Sequence, residues 1–417
     1  MDDAKARSKY EATTVVLFFL TWGFVFLDRL SISFLLPVIQ PLLGITNTQI
    51  GLLGFVTTAA YALSAIFFGA VSDKSGLRKR WLIIFTLITA VATGLCALAT
   101  TFSSLLILRL IVGIGEGPLF ALMMSILVHS SGENKFGRNS GIVNVGVGLI
   151  AVTLGPLLVT QLVAVMSWQM TFLMASLPSF VMVGLIAKFI KEIHVKPASD
   201  FGNPELQKSN NFGKLLKSRN IPVCILISIF SMAGFWTLAL YSSVYLVNVA
   251  GLTVQQMGFA ASLMGILYMV YSFLAPKLSD NFGRKPALII FYFLCMLAPL
   301  AMFGFPGTMF AVVAYVIFGG VPGAMTPIFA VLIPMETVED SLRATAQGTV
   351  NGVGELIGGS CFPIAVGKVA DLHGLAATMG LGAVFLGIDF VLSFFVKESN
   401  PYVLAKKGKN EAEASAK

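Results

Sequence analysis

The sequence predicts an all-α membrane protein whose twelve transmembrane helices form two pseudo-symmetric six-helix bundles. Of its 417 residues, 56% are hydrophobic and only 12% are charged. The mean hydropathy is +0.86, which indicates more apolar surface than a soluble core can bury. Apolar runs of about 20 residues, the length that crosses a bilayer, occur six times before Lys191 and six times after Arg219. A polar motif also recurs at the matching place in each half.

The apolar runs divide the chain into two similar halves. We expect an N-terminal bundle at 1–190, a polar and basic cytoplasmic linker at 191–219 and a C-terminal bundle with its tail at 220–417. Pro197, Gly202 and Pro204 favour irregular structure in the linker. The predicted helices cover approximately 13–41, 48–71, 81–101, 103–129, 139–166 and 168–190, then 220–249, 256–276, 286–305, 308–334, 343–369 and 375–396.

The positive charges follow the predicted topology. The net charge is +8, and all of the 28 Lys and Arg residues except Arg29, Arg109 and Lys368 lie at the termini or in alternate connections. This asymmetry is typical of cytoplasmic loops, so it predicts a multi-pass protein of the inner (plasma) membrane with both termini in the cytoplasm. It also explains the basic pI without nucleic acid. We expect a monomer that contacts the lipid bilayer.

The sequence has no pattern that predicts a metal site or a nucleotide cofactor. Its four cysteines lie singly in apolar runs, which is typical of packing residues. There is no glycine-rich phosphate loop ending in Lys-Ser/Thr. We therefore expect neither an enzyme nor an ATP-driven pump.

Two adjacent charges, Asp28 and Arg29, interrupt the first apolar run near its middle. Each costs about 2.5 to 3.5 kcal/mol at the centre of a membrane helix. Neighbouring residues on a helix point about 100° apart, so these two are poor partners for each other. Each needs a partner on another helix, and the pair indicates a pathway for a charged solute.

A glycine- and aspartate-containing loop follows the second and the eighth predicted helix. The first copy reads Gly69-Ala-Val-Ser-Asp-Lys-Ser-Gly-Leu-Arg78, and the second reads Ser279-Asp-Asn-Phe-Gly-Arg284. Their aspartates are 207 residues apart. Two copies in two six-helix halves resemble the major facilitator superfamily, whose signature here is G-x-x-x-D-[RK]-x-G-[RK]-[RK]. The first copy departs at Leu77, and the second has Pro276 in place of the leading glycine.

This resemblance implies two bundles that rock about a central site and are related by a pseudo-two-fold axis along the membrane normal. It also implies that the repeated loop is a conformational latch rather than a substrate contact. The latch residues are expected to be Gly69, Asp73, Gly76, Arg78, Asp280, Gly283 and Arg284.

The fourth apolar run carries a second charged pattern, Arg109-Leu-Ile-Val-Gly113-Ile-Gly-Glu116. Arg109 and Glu116 are seven residues apart, hence on one face and about 10 Å apart along the axis. Gly113 lies between them, so we expect a gap there. Alternatively, Arg109 extends to the membrane interface.

With Asp28-Arg29, this pattern resembles the anion:cation symporter branch of the superfamily. The resemblance implies that Arg29 and Arg109 bind a substrate carboxylate, whereas Asp28 and Glu116 couple proton uptake to transport.

Further candidates are aromatic or polar residues within apolar runs. Tyr61, Tyr241 and Tyr245 could contact a solute, although packing between helices is the alternative. In the eleventh run, Gln347, Asn351 and Glu355 recur every four residues. We take Asn351 as a substrate ligand and Glu355 as a third coupling acid, although the symporter branch more often has asparagine there. For Asp389 we favour a structural or gating contact.

The resulting hypothesis is proton-coupled uptake of a small organic anion, a sugar acid or another carboxylate, by alternating access. The alternative is a proton-antiport exporter of drugs or metabolites, favoured by Glu355 and by Gly148 and Gly155-Pro156 in the fifth run. A transporter-like receptor or scaffold would not need acids within the membrane.

Overall fold

A computed structural model describes residues 2–132, 135–193, 215–339 and 342–406. Within these ranges it has helices and no strand, and twelve helices are long and apolar enough to cross a membrane. The predicted all-α fold of twelve membrane helices is thus confirmed. The helices are α1 (Arg7–Leu43), α2 (Asn47–Ser72), α3 (Arg78–Leu98), α4 (Phe102–Ser130), α5 (Phe136–Val165), α6 (Trp168–Phe189), α7 (Asn220–Asn248), α8 (Val254–Phe282), α9 (Arg284–Gly304), α10 (Met309–Thr337), α11 (Thr345–His373) and α12 (Leu375–Ser393).

The predicted helix ends differ most at α1 and α8. The helix of α1 extends further towards the N-terminus than the apolar run, because the polar residues before that run continue the same helix. We expected the eighth helix to end at Pro276, but α8 continues through this proline to Phe282. Proline is tolerated within membrane helices when neighbouring groups satisfy the backbone that it leaves unpaired.

Five helices begin with a hydroxyl side chain that caps the free backbone N–H groups of the first turn. All five follow a connection that has no Lys or Arg. At α2, α4 and α8 the third residue of the helix bonds back to the cap, forming a reciprocal capping box. The capping residues are Thr46, Thr101, Ser167, Thr253 and Thr308.

Three helices contain a π-helical segment, in which the hydrogen bonds span five residues instead of four. These segments are Val147–Leu154 in α5, Pro327–Leu332 in α10 and Gly354–Cys361 in α11. The segments of α5 and α11 start 207 residues apart, the same interval as the repeated loops. Because π-helical turns are frequent at functional sites, these three helices are candidates to contribute to such a site.

The chain divides into two compact units. Besides the residues before the linker, the first unit includes Leu252–Ile266, which contains the start of α8. This part of α8 packs closely on α5, because a Cβ at Gly265 would lie 2.3 Å from the carbonyl oxygen of Val152. The predicted linker residues Pro197, Gly202 and Pro204 lie outside the described residues.

Large apolar side chains also cover the outer surface of the helices. On α2, the exposed fractions of Leu63, Ile66 and Phe67 are 65%, 75% and 63%. A water-soluble protein rarely exposes such a continuous apolar face. The chain is therefore a multi-pass membrane protein whose outer surface is suited to lipid.

Candidate functional site

Asp28 and Arg29, in the middle of α1, have partners on different helices. The Asp28 side chain is fully buried, and its Oδ2 accepts a hydrogen bond of 2.6 Å from Ser179 Oγ on α6. Arg29 donates from Nη2 to Thr58 Oγ1 on α2 at 3.1 Å. Its guanidinium also lies over the Tyr61 ring, 4.9 Å from the ring centre. The two charges therefore face different surroundings, as their adjacent positions on one helix require.

The opposite charge for Arg29 comes from Glu116 on α4. Arg29 Nε lies 3.7 Å from Glu116 Oε2, and both side chains are almost completely buried. Neither Glu116 oxygen accepts a hydrogen bond from a described residue. The pair is thus held mainly by charge, which acts strongly away from water. A competing anion or a proton on Glu116 would disturb it more readily than a hydrogen-bonded bidentate pair.

Arg109 binds the backbone of α1 instead of a carboxylate. Its Nη2 donates to the carbonyl oxygen of Arg29 at 2.8 Å, and its Nη1 donates to the carbonyl oxygen of Asp28 at 3.3 Å. Only 2% of the Arg109 side chain is exposed, so it does not extend to the membrane interface. Arg109 thereby fixes the stretch of α1 that carries both charges.

The gap that we expected at Gly113 is absent because α2 fills it. A Cβ at Gly113 would lie 2.3 Å from the carbonyl oxygen of Thr57, so only glycine permits this approach. The contact brings Thr58 and Tyr61 of α2 to Arg29. Gly113 therefore helps to build the site by close packing and does not leave space between Arg109 and Glu116.

The two tyrosines of α7 face the interior of the second unit. Tyr241 and Tyr245 are fully buried. The Tyr241 hydroxyl donates to the carbonyl oxygen of Pro363 at 2.8 Å, and that of Tyr245 donates to the carbonyl oxygen of Met302. In this structure both tyrosines join helices, which corresponds to the packing alternative.

The polar stripe of α11 is more accessible than the tyrosines of α7. Asn351 is exposed and Glu355 is half-buried. Glu355 Oε2 accepts a hydrogen bond of 3.2 Å from Trp236 Nε1 on α7. Glu355 lies in the π-helical segment of α11. The second unit thus presents an oriented carboxylate beside an aromatic ring.

Asp389 on α12 is fully buried, unlike the half-buried Glu355 of the same half. Neither of its carboxyl oxygens accepts a hydrogen bond from a described residue. Tyr292 on α9 is close enough to interact electrostatically with it, but the Tyr292 hydroxyl donates to Ser231. Among the described residues, no hydrogen bond to the Asp389 carboxyl group explains its burial.

The first predicted latch loop joins the end of α2 to the start of α3. The helix of α2 continues beyond its apolar span to Ser75, and Gly76 ends it in the left-handed conformation, with φ of 68°. A Cβ at Gly69 would meet open space. Arg78 Nη1 donates to Ser72 Oγ at 2.8 Å. The Asp73 side chain lies outside the described residues, so its part in the latch stays a prediction.

The second latch loop has a larger set of ionic contacts. Arg284 binds Asp280 at 2.5 Å and Glu336 on α10 at 2.7 Å, and donates to Ser279 at 2.6 Å. Gly283 has φ of 107°, and a Cβ there would lie 2.4 Å from a carboxylate oxygen of Glu398. The backbone conformation thus favours glycine at position 283, and a side chain there would also displace the Glu398 carboxylate.

A glutamate that follows the last helix of each half caps the helix that follows the latch loop. Glu192 accepts hydrogen bonds from the backbone N–H groups of Lys79 and Arg80 at 2.8 and 3.1 Å. Glu398 accepts them from Arg284 and Lys285 at the same two distances. Each carboxylate offsets the positive end of a helix whose first turn is basic.

Sequence reasoning missed five of the residues in these arrangements: Ser179, Thr58, Glu192, Glu336 and Glu398. For Glu192 and Glu398 a signal was present, because they lie 206 residues apart and so follow the repeat. Nothing in the sequence distinguishes Ser179 or Thr58 from other hydroxyl residues in apolar helices.

Comparison with known proteins gives relatives of similar length. The chain is 26% identical over 400 residues to a probable 4-methylmuconolactone transporter of Cupriavidus pinatubonensis, covering 90% of this chain and 88% of the relative. It is 26% identical over 319 residues to a hexuronate transporter of Bacillus subtilis, covering 72% and 73%. It is also 25% identical over 359 residues to a multidrug resistance protein of Klebsiella pneumoniae, covering 86% of each chain.

The fold is likewise similar to that of solved transporters. A bacterial homologue of the human lysosomal transporter Spinster, in an inward-facing and unoccupied conformation, has a TM-score of 0.76 at 18% identity. The match covers 93% of this chain and 97% of that one. A sequence profile described as the Major Facilitator Superfamily matches residues 17–363. With its twelve membrane helices and repeated loops, the chain belongs to the major facilitator superfamily of transporters.

Proposed function

We propose that the protein takes up a small organic anion, a sugar acid or another carboxylate, together with protons by alternating access. The observation that carries this proposal is the buried ion pair of Arg29 with Glu116, 3.7 Å apart. We further propose that it works as a monomer in the inner (plasma) membrane, with both termini in the cytoplasm.

The ion pair suggests how proton and anion uptake are coupled. Arg29 carries a guanidinium suited to a substrate carboxylate, but the ionised carboxylate of Glu116 competes for it. A proton on Glu116 removes this competition, so the anion binds Arg29 more tightly. Because coupling between two binding events is reciprocal, a bound anion also favours the proton on Glu116. The two ligands then bind and leave together.

The remaining residues have supporting parts in this proposal. Tyr61, whose ring lies under Arg29, contacts the body of the substrate. Arg109 keeps α1 in place and acts on the substrate through Arg29. Asp28 is a second proton carrier. In the second unit, Asn351 and Glu355 are accessible polar groups of α11, and Glu355 is a third coupling acid.

The names of two relatives support the substrate class. One relative is a hexuronate transporter, and hexuronates are sugar acids. The other is a probable transporter of 4-methylmuconolactone. A carboxylate of the size of a hexuronate would suit a site with one buried arginine and one adjacent aromatic ring.

Proton-driven export of drugs or metabolites is the second candidate function. The similarity to a multidrug resistance protein favours it, as does Gly155-Pro156 directly after the π-helical segment of α5. The two functions differ in the direction of the proton gradient that drives accumulation of substrate inside proteoliposomes. An inward proton gradient drives accumulation by a symporter, whereas an antiporter moves its substrate against the incoming protons.

The test uses purified protein in proteoliposomes with radiolabelled glucuronate, galacturonate and aromatic carboxylates. We expect an inward proton gradient to drive accumulation of at least one of them. Glu116→Gln should keep exchange of labelled for unlabelled substrate but lose proton-driven accumulation. Glu339→Gln, at an exposed position, is the matched control and should accumulate normally. Continued proton-driven accumulation by Glu116→Gln would remove Glu116 from the coupling mechanism. Accumulation driven by an outward instead of an inward proton gradient would favour the exporter.

A further inference from the structure

Ser179 differs from most buried hydroxyl residues of the first unit, which bond within their own helix; Ser64 also donates to another helix, but to the backbone carbonyl oxygen of Ile114. A serine or threonine within a helix usually donates to a carbonyl oxygen three or four residues earlier in the same helix. This holds for Ser176, which donates to the carbonyl oxygen of Leu173 on α6. It also holds for Thr21, Thr57, Thr86, Thr89, Thr160 and Thr171. Ser179 instead donates across to α1, where its Oγ lies 2.6 Å from Asp28 Oδ2.

This contact is the one hydrogen bond that described residues make to the Asp28 carboxyl group. Asp28 Oδ1 accepts none. Arg109 donates to the backbone carbonyl oxygen of Asp28 and not to its carboxylate. Both Asp28 and Ser179 are buried, with exposed fractions of 0% and 1%. The Ser179 hydroxyl is therefore placed to control the orientation and the charge of this acid.

Few other ionisable groups are available to influence Asp28. Glu116 and Arg109 on α4, Cys96 at the end of α3 and Arg29 beside it on α1 are the ionisable neighbours. Over residues 139–165 of α5 there is no ionisable side chain, and α6 has only Lys188 near its end. The contribution from α6 is thus the neutral hydroxyl of Ser179.

A hydroxyl suits an acid that changes its protonation state. It donates to an ionised carboxylate, and after rotation it accepts from a protonated carboxyl group. A donated hydrogen bond to the charged form also favours that form. A methyl group in its place would leave the carboxylate with no donor, and the acid would then hold its proton to a higher pH.

We propose that Ser179 is a positioning residue for proton coupling, whose hydroxyl orients the Asp28 carboxyl group and sets the pH range in which Asp28 exchanges its proton. The inference rests on the proposed function, in which Asp28 carries a proton. It adds a residue on α6 to a mechanism otherwise built from α1, α2 and α4.

Infrared spectroscopy of the full-length protein in proteoliposomes tests this without any substrate. The carbonyl band of a protonated carboxyl group is followed against pH, and Asp28→Asn identifies the part of the band that belongs to Asp28. We expect Ser179→Ala to move the midpoint of this band about one pH unit higher, a roughly tenfold increase in proton affinity. Ser179→Thr keeps a hydroxyl and should restore the midpoint to within a few tenths of a unit.

Ser176→Ala is the matched control, because Ser176 is also buried on α6 but bonds within its own helix. It should leave the midpoint unchanged. If Ser179→Ala does not fold, Ser179→Cys, with a weaker donor, should give a smaller shift in the same direction.

Two adverse results are distinguishable. An Asp28 band that titrates with the same midpoint in wild type and Ser179→Ala would overturn the role of Ser179 and leave the proposed function intact. Absence of any titrating Asp28 band would overturn Asp28 as a proton carrier and the role of Ser179 with it. In that case the Glu116→Gln transport experiment still decides whether Glu116 couples protons.

Discussion

Arg109 on α4 donates a hydrogen bond of 2.8 Å to the backbone carbonyl oxygen of Arg29 on α1. One buried arginine thus holds the backbone of the other. The two side chains consequently have different surroundings: Arg29 faces Glu116 and Tyr61, whereas Arg109 is occupied by carbonyl oxygens. We infer that substitutions of the two arginines will have different effects.

Arg29→Lys should weaken substrate binding with little loss of stability. Lysine keeps the charge but lacks the planar fork that binds a carboxylate with two hydrogen bonds. We expect affinity for a transported carboxylate to fall at least about tenfold, roughly 1.4 kcal/mol, measured by binding to purified protein. The Thr58→Val variant, which removes only the hydroxyl contact of Arg29, is the comparison and should lose less affinity. Unchanged affinity in Arg29→Lys would argue against direct carboxylate binding by Arg29.

Arg109→Lys should act first on stability. A single ammonium group does not reproduce the two-carbonyl contact of the guanidinium, and a buried charged donor that lacks an acceptor costs about 1–3 kcal/mol. We expect a lower midpoint of thermal unfolding in detergent than for Arg29→Lys. Substrate affinity should fall less than in Arg29→Lys, because Arg109 acts through α1. The opposite order of the two variants in both measurements would place Arg109 in direct contact with the substrate.

Glu398→Ala should lower the unfolding midpoint more than Glu192→Ala. Both glutamates cap a helix with a basic first turn, and such a cap contributes about 0.5–2 kcal/mol to the free energy of unfolding. Glu398 also accepts from the backbone N–H groups of Ser399 and Asn400, whereas Glu192 has one such additional contact, from Ile193. Thermal unfolding of the two single variants measures the difference. Equal midpoints for Glu398→Ala and the wild type would show that the cap contributes nothing.

Asp389→Leu should fold at least as stably as the wild type. Both carboxyl oxygens of Asp389 are buried without a hydrogen-bonding partner among the described residues, and burying such a group is costly. An apolar side chain of similar size removes that cost. We expect an equal or higher unfolding midpoint, with Asp389→Asn, which keeps a polar group, below Asp389→Leu. A midpoint several degrees lower in Asp389→Leu would indicate a structural contact of Asp389 after all.

The sequence by itself determined the architecture. Hydrophobic runs of membrane-spanning length predict where the helices lie, because a lipid-embedded backbone must satisfy its hydrogen bonds within a helix. The repeated loops at Asp73 and Asp280 identified the superfamily. Because a charge within a membrane helix is costly, the sequence also named the residues from which a site could be built.

Only the tertiary structure decided which of these residues meet. Adjacent positions in the sequence showed that Asp28 and Arg29 need different partners, but the partners come from α6 and α4, and no local pattern encodes that choice. Arg109 donates to the backbone of α1, and α2 fills the space at Gly113. Neither contact follows from the sequence, and a role of Arg109 at the substrate stays a prediction. Such contacts depend on how helices pack side by side. The helical period fixes which residues share a face, but the packing of helices fixes what that face touches.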